Sequence, residues 1–131
     1  MELISWGDTI LAYLIRHTMT HEKTEFPTPP DLELQVGFVV YPAGGVITAH
    51  AHKPITRRIN KTCEVIVVKT GRCEVDLYAD DRRLVATRQL RQGDVLILVN
   101  GGHGFRMRED TVLLEVKQGP YFGLGEKQLL R

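Results

Sequence analysis

The residues of this chain whose spacing most directly suggests chemistry are two histidines separated by one residue, His50-Ala51-His52. In a β-strand, residues i and i+2 point to the same face, and their Cβ atoms lie about 6–7 Å apart. At that separation both imidazole rings can reach one ion with metal–nitrogen distances of about 2.0–2.1 Å. The pattern therefore predicts that His50 and His52 bind a metal ion from a single strand.

A third histidine, His103, is predicted to point into the interior of the protein. Apolar and polar residues alternate along the run 103–108, and His103 shares its face with Phe105 and Met107. An imidazole that enters an apolar interior without a partner is costly in free energy. We therefore expect His103 to have a partner there, and a metal ion is the partner that the other histidines suggest.

Glu64 is predicted to join the same inner face through the register of a hairpin. The runs 62–69 and 72–78 meet around Thr70-Gly71, which is typical of a two-residue hairpin loop. In the second run the alternate residues Cys73, Val75 and Leu77 are apolar and should face the core. The hairpin pairing then places Glu64 on that face as its lone carboxylate.

The combined set of three imidazoles and one carboxylate suits one divalent transition metal: Zn, Ni, Mn, Fe or Co. It is a poor match for calcium, which prefers oxygen ligands. Each histidine taken alone is more simply explained as a hydrogen-bonded core residue. The metal prediction depends on the combination of His50, His52, Glu64 and His103.

Short strand-like runs bounded by turn residues follow one another along most of the chain, and they predict an all-β antiparallel sandwich or barrel. The segment from Thr9 to Arg16 fits either a short helix or a strand, and the segment from His21 to Asp31 reads as an extended connector rich in proline. The predicted strands are 32–41, 45–52, 63–69, 72–78, 84–90, 94–99, 103–108 and 111–117.

Composition excludes several classes of protein. The chain has 131 residues and a net charge of +1, which favours a single domain and gives no reason to expect nucleic acid as a partner. The apolar runs are too short to span a membrane. Residues 1–8 lack a basic region of the kind that begins a signal peptide, so we expect a cytoplasmic protein in which Cys63 and Cys73 are free thiols.

Two parts of the sequence resemble the motifs of the cupin family. The run Gly44-x5-His50-x-His52-x11-Glu64-x6-Gly71 resembles the first cupin motif, and Gly93-x5-Val99-x-Gly101-x-His103 resembles the second. Between His52 and Glu64 the chain is longer than in that family, and Val99 stands where proline is usual. The longer stretch predicts an extra loop over residues 54–62.

The resemblance covers about residues 35–117 and implies a cupin double-stranded β-helix, which is a jelly-roll-like antiparallel barrel. It also implies that the two histidines and the glutamate of the first motif bind the metal together with the histidine of the second. A homodimer is implied as well, formed by packing of sheets or by exchange of the N-terminal strand. The predicted organisation is a single domain over 1–131, with a strand and connector over 1–31, the barrel over 32–121 and a tail over 122–131.

Four further polar residues are predicted to contact a small-molecule ligand. Arg57 and Arg58 lie in the extra loop, where they would clamp a carboxylate or a phosphate; otherwise they are solvated loop residues. Gln35 and Tyr121 are predicted near the cavity, with a structural function as the alternative for each. Residues 112–117 alternate apolar with charged, which predicts an ion pair between Glu115 and Lys117 on the outer surface.

These residues lead to one function and two alternatives. The first is a metal-dependent enzyme that acts on a small oxygen-rich metabolite, either an isomerase or epimerase of a sugar or keto acid or, with iron, a dioxygenase. The second is a non-catalytic module that binds or senses a small molecule. The third is a metal-free enzyme that uses its histidines as acid and base, since the run His50-Ala51-His52-Lys53 resembles a strand of the cupin sugar-nucleotide ketoisomerases.

Overall fold

The computed structural model describes residues 1–130 and divides into two compact units. The first unit consists of Met1–Met19 and Thr62–Arg131, and the second is Thr20–Lys61. Each unit is described by itself below. The single domain over 1–131 stays a prediction.

Eight antiparallel strands form the first unit in two sheets. The five-stranded sheet has the order β1-β2-β6-β3-β8, and the three-stranded sheet has the order β5-β4-β7. The chain is therefore all-β, as predicted, in two open antiparallel sheets. The strands are β1 (Glu2–Trp6), β2 (Thr9–Ile15), β3 (Glu64–Thr70), β4 (Arg72–Tyr78), β5 (Leu84–Arg91), β6 (Val95–Leu98), β7 (Gly102–Met107) and β8 (Val112–Lys117), and one 3-10 turn follows at Gly123–Glu126.

The core of the first unit is made by alternate residues of its strands. On β4, Cys73, Val75 and Leu77 are completely buried, which confirms the face predicted for them. They pack in one apolar cluster with Ile66 and Leu96. Burial of side chains of this size stabilises the fold by about 1.5–3 kcal/mol each. Neither cysteine forms a disulfide bond, as predicted, and both side chains are buried.

The segment from Thr9 to Arg16 forms a strand and not a helix. Strand β2 spans Thr9–Ile15 and pairs with β1 on one side and with β6 on the other. Four consecutive residues of β2, Leu11 to Leu14, are buried, so the strand is covered on both faces. Among residues 1–130, no helix is long and apolar enough to cross a membrane.

The predicted hairpin around Thr70-Gly71 is wrong. Strand β3 pairs with β6 and β8, whereas β4 pairs with β5 and β7, so the chain passes from one sheet to the other at Gly71. Gly71 has φ +89°, and a Cβ atom there would lie 2.3 Å from the carbonyl oxygen of Asp110. A tight glycine turn can connect the two strands of a hairpin, and it can equally connect strands that belong to different sheets.

The charged side chains of strand β8 lie on the opposite face of the sheet from the one predicted. Glu115 is opposite Ile66 and Lys117 is opposite Glu64, and directly paired residues share a face, so both charged residues lie on the inner face of the sheet. The predicted ion pair on the outer surface is therefore wrong in its location. The alternate residues Val112, Leu114 and Val116 are about half exposed instead.

Irregular chain forms the second unit. Of the described residues in Thr20–Lys61, none belongs to a strand, and the regular pairing is one isolated bridge between Glu25 and Phe38. The strands predicted over 32–41 and 45–52 are therefore wrong. Residues 41–60 are all exposed, and a lone extended segment with no neighbouring strand cannot satisfy its backbone hydrogen bonds in a sheet.

Candidate functional site

A cavity of about 640 Å³ lies in the first unit and brings acidic and basic side chains together. Glu64 enters it from the start of β3, His103 from the start of β7 and Glu115 from β8. Apolar and backbone groups form much of the remaining wall. The other lining residues include Tyr78, Ala79, Asp80, Leu98, Asn100, Gly101, Gly102, Gly104, Glu126 and Lys127.

Glu64 and His103 form a close pair in this cavity. Oε2 of Glu64 lies 3.3 Å from Nε2 of His103, and the Glu64 side chain is 12% exposed. The ring of His103 also contacts that of Phe105 edge to face, with centroids 5.8 Å apart. The structure therefore places two of the four predicted metal ligands side by side.

A second carboxylate, Glu115, forms a hydrogen bond with Glu64, and the two pKa values move apart. The hydrogen bond from His103 is the main cause that lowers the pKa of Glu64 to about 2. Burial, followed by the hydrogen bond to Glu64, raises the pKa of Glu115. Glu64 is thus the more acidic of the two carboxyl groups, and Glu115 is the less acidic one.

Lys117 supplies positive charge beside both carboxylates. Its Nζ lies 3.7 Å from Oε1 of Glu64 and 3.7 Å from Oε1 of Glu115. The same ammonium group lies 4.1 Å from the centroid of the Tyr121 ring, within the range of a cation–π contact. Tyr121, predicted to contact a ligand, therefore lies against the charged cluster and is half exposed.

His50 and His52 belong to the second unit, where both are exposed. Their ring centroids are 5.3 Å apart and the rings meet at 69°. Nδ1 of His50 lies 2.8 Å from the carbonyl oxygen of Thr48. If Nδ1 carries the proton and donates it there, Nε2 is left as an acceptor, which is the tautomer of a metal-binding histidine.

The separation of the donor atoms in the Glu64–His103 pair fits a metal ion. Two donor atoms that each lie about 2.0–2.2 Å from one tetrahedral ion are separated by about 3.3 Å, as are Glu64 Oε2 and His103 Nε2. His50 has the backbone partner that ligating histidines usually have. Among residues 1–130, no three metal-binding side chains form a group that could hold an ion, so the complete site stays a prediction.

The remaining predicted ligand-binding residues lie in the second unit. The Gln35 side chain accepts a hydrogen bond from Thr28 Oγ1 at 2.9 Å and donates to the carbonyl oxygens of Pro29 and Leu32. It thereby stabilises a turn. Arg57 and Arg58 are exposed. Their binding of a ligand stays a prediction.

Sequence reasoning missed Glu115 and Lys117 as residues of the site. Their alternation with valine and leucine was read as a charged outer face, but the same alternation fits a charged inner face equally well. The available signal was Glu64 itself: an inward carboxylate on β3 needs charged partners on the adjacent strand. Glu115 and Lys117 are those partners.

Comparison with known proteins found no matching family model, no matching curated protein and no matching solved structure. The cupin resemblance therefore depends on the motif residues of this chain alone.

Proposed function

We propose that this chain is a cupin-type enzyme that binds one divalent transition metal and acts on a small oxygen-rich metabolite. The proposed ligands are His50, His52, Glu64 and His103. The observation that carries the proposal is the Glu64–His103 pair, since its donor atoms are 3.3 Å apart at the wall of a cavity of about 640 Å³. That cavity is large enough for a sugar or a keto acid.

The cupin double-stranded β-helix is the fold that we propose for the chain. Two antiparallel sheets support it, because jelly-roll folds are built from two such sheets. The passage of the chain from β3 in one sheet to β4 in the other also supports it, since a simple up-and-down meander would pair these strands.

A divalent metal bound to these residues would supply a Lewis acid that polarises a substrate carbonyl. The residues of the chain would provide the rest of the chemistry. The pKa of Glu115 is raised by burial and by its hydrogen bond to Glu64, so Glu115 is the carboxyl that we assign to proton transfer with the substrate, and Lys127 places a positive charge on the cavity wall for an anionic substrate group. Proton donation at this site fits an isomerase or epimerase, and with iron the same ligands fit a dioxygenase.

The second candidate is a metal-free enzyme in which these side chains perform proton transfer directly. Lys117 favours it, because its ammonium group already lies 3.7 Å from both carboxylates and supplies positive charge there. His103 would then act as the base, held by Glu64, and Glu115 as the acid. A module that binds a small molecule without turnover is the remaining alternative.

Elemental analysis of protein purified without an affinity tag tests the proposal. We expect about one equivalent of a transition metal in the wild type after reconstitution. The His50→Ala, His52→Ala double variant and the Glu64→Gln variant should each lose it while they remain folded. Glu109→Gln is the matched control, because this carboxylate is half exposed and pairs with Arg72 outside the cavity.

Less than about 0.1 equivalent of every metal would contradict the metal site. A screen of keto-sugars and keto acids then separates the candidates. Turnover without metal that is lost in Glu115→Gln would support the metal-free enzyme. Saturable binding with no turnover would support a sensor.

We also propose that the chain forms a homodimer in the cytoplasm. The apolar residues that β8 turns outward support a partner of the same kind, and two buried cysteines that form no disulfide bond fit a reducing compartment.

A further inference from the structure

A second cavity of about 270 Å³ lies in the first unit, where the end of β2 meets the turn between β5 and β6. It shares no lining residue with the cavity described above. Basic and polar side chains surround it. The lining residues are Arg16, His17, Thr18, Gln89, Arg91 and Asp94.

Asp94 is the buried residue whose hydrogen bonds hold the lining of this cavity in place. Its side chain is 1% exposed and accepts hydrogen bonds from the backbone N–H groups of His17 at 2.8 Å and Arg91 at 2.9 Å. It also accepts one from Arg16 Nη1 at 3.0 Å. A buried carboxylate with this many partners fixes the side chains of Arg16 and His17 and the backbone at Arg91.

His17 is held with one ring nitrogen inward and the other outward. Nδ1 lies 2.9 Å from Oδ1 of Asp94 and donates its proton to the carboxylate, and in the imidazolium form Nε2 carries the second proton, which it can donate to an anionic ligand. Gly93 packs behind it, and a Cβ atom at that glycine would lie 2.9 Å from the Cβ of His17. The imidazole is 47% exposed.

The cavity carries an excess of positive charge. Arg16 bonds Asp94 and the Gln89 carbonyl through Nη1 alone, which leaves its Nε and Nη2 donors for a ligand. Within residues 1–130, the Arg91 guanidinium has no hydrogen bond or ion pair, because Arg91 contacts Asp94 through its backbone. The lining residues thus include two arginines and one carboxylate, before any charge on His17 is counted.

We infer that this cavity binds the phosphate group of a small phosphorylated molecule through Arg16, His17 and Arg91. Three separate donors suit the three outer oxygens of a phosphate ester, whereas a carboxylate has two oxygens to offer. Asp94 acts as a positioning residue that holds His17 and Arg16 in place. This inference is independent of the proposed enzyme, because the two cavities have different residues.

Titration with inorganic phosphate, followed by the NMR signals of the His17 ring at constant ionic strength, tests the inference. We expect saturable shifts of the His17 ring signals with phosphate and much weaker binding of acetate. Arg91→Gln should weaken phosphate binding about fivefold. That variant keeps the backbone bond to Asp94, so the fold should be retained.

Arg82→Gln is the matched control, since Arg82 is an exposed arginine outside this cavity, in the turn between β4 and β5. It should leave phosphate affinity unchanged. Shifts of His17 that do not saturate up to about 50 mM phosphate would overturn the inference. Equal weakening by Arg91→Gln and Arg82→Gln would also overturn it, as would equal affinity for acetate.

Discussion

A buried charge such as Asp94 is stable only if its partners replace the water that it loses. Burial acts to raise the pKa of Asp94, but the hydrogen bonds from Arg91, His17 and Arg16 together outweigh burial and lower it. The same bonds join the end of β2 to the turn before β6. At the scale of a single residue, Asp94 thus stabilises the contact between these two parts of the fold. It also positions the residues of the proposed phosphate-binding cavity.

We predict that Asp94→Asn lowers the free energy of unfolding by about 3 kcal/mol near neutral pH, because an amide replaces an ionised acceptor and faces Arg16 with its own N–H group. Urea denaturation checks this value. Asp81→Asn is the control, because the Asp81 side chain is half exposed and should change stability little. A loss below about 1 kcal/mol would contradict the prediction.

The effect of Asp94→Asn should also depend on pH. The pKa of Asp94 in the folded state lies below its ordinary value of 3.8. Its stabilisation is therefore fully present above that value and is lost as the pH falls through the lowered pKa. The stability difference between the wild type and the variant should shrink in acid, and a constant difference down to about pH 2 would contradict the assignment.

The buried face of an individual strand was predictable, because the alternation of apolar and polar residues is visible within a few neighbouring positions. On β4 the apolar residues Cys73, Val75 and Leu77 repeat every second position, and all are buried. The pairing of strands was not predictable, because β3 and β4 look like a hairpin whether Gly71 turns back or crosses to the other sheet. Glu64 nevertheless faces inward, since Ile66 and Val68 on its own strand are buried.

The segment that contains His50 and His52 shows the limit of spacing as a signal. A histidine at every second position presents both rings on one face only if a strand forms, and a strand needs a neighbour. In the structure this segment has no strand neighbour among the described residues, and its rings are 5.3 Å apart in irregular chain. The secondary structure of this segment was therefore not encoded in its local spacing.

Strand β8 ends the five-stranded sheet with an apolar row on its outer face. Val112, Leu114 and Val116 are 54%, 48% and 53% exposed. Because β8 pairs with β3 alone among residues 1–130, its other edge and its outer face are available to a second copy of the chain. Glu115 and Lys117 lie on the other face of β8, toward Glu64, so the apolar side chains point outward.

We predict that the Leu114→Lys, Val116→Lys double variant changes a dimer into a monomer, because it places two charges in the proposed interface. Sedimentation velocity measures the change. Thermal stability of the monomer should fall little, since both side chains are half exposed. Leu84→Lys on β5, with a 53% exposed leucine, is the matched control and should remain dimeric. A monomeric wild type, or a variant that still dimerises, would contradict the prediction.

At the scale of the whole molecule, the proposed ligand set consists of two pairs, His50 with His52 and Glu64 with His103. In the first pair, Nδ1 of His50 lies 2.8 Å from the carbonyl oxygen of Thr48, and in the second the donor atoms of Glu64 and His103 are 3.3 Å apart. A metal bound by all four ligands would stabilise the folded chain through its binding free energy. If each pair instead formed its own weak site, metal binding at one pair would not affect metal binding at the other.

We predict that a double-mutant cycle of His50→Ala and His103→Ala shows coupling of more than about 1 kcal/mol in zinc-binding free energy. If both histidines bind one ion, removal of either destroys most of the affinity, so the second removal changes little. Competition with a chelator of known zinc affinity measures each variant. His17→Ala is the control, because His17 lies with Asp94 outside the proposed set and its loss should leave zinc affinity unchanged. Additive losses along the cycle would mean that the two pairs act separately, and the single metal site would then be wrong.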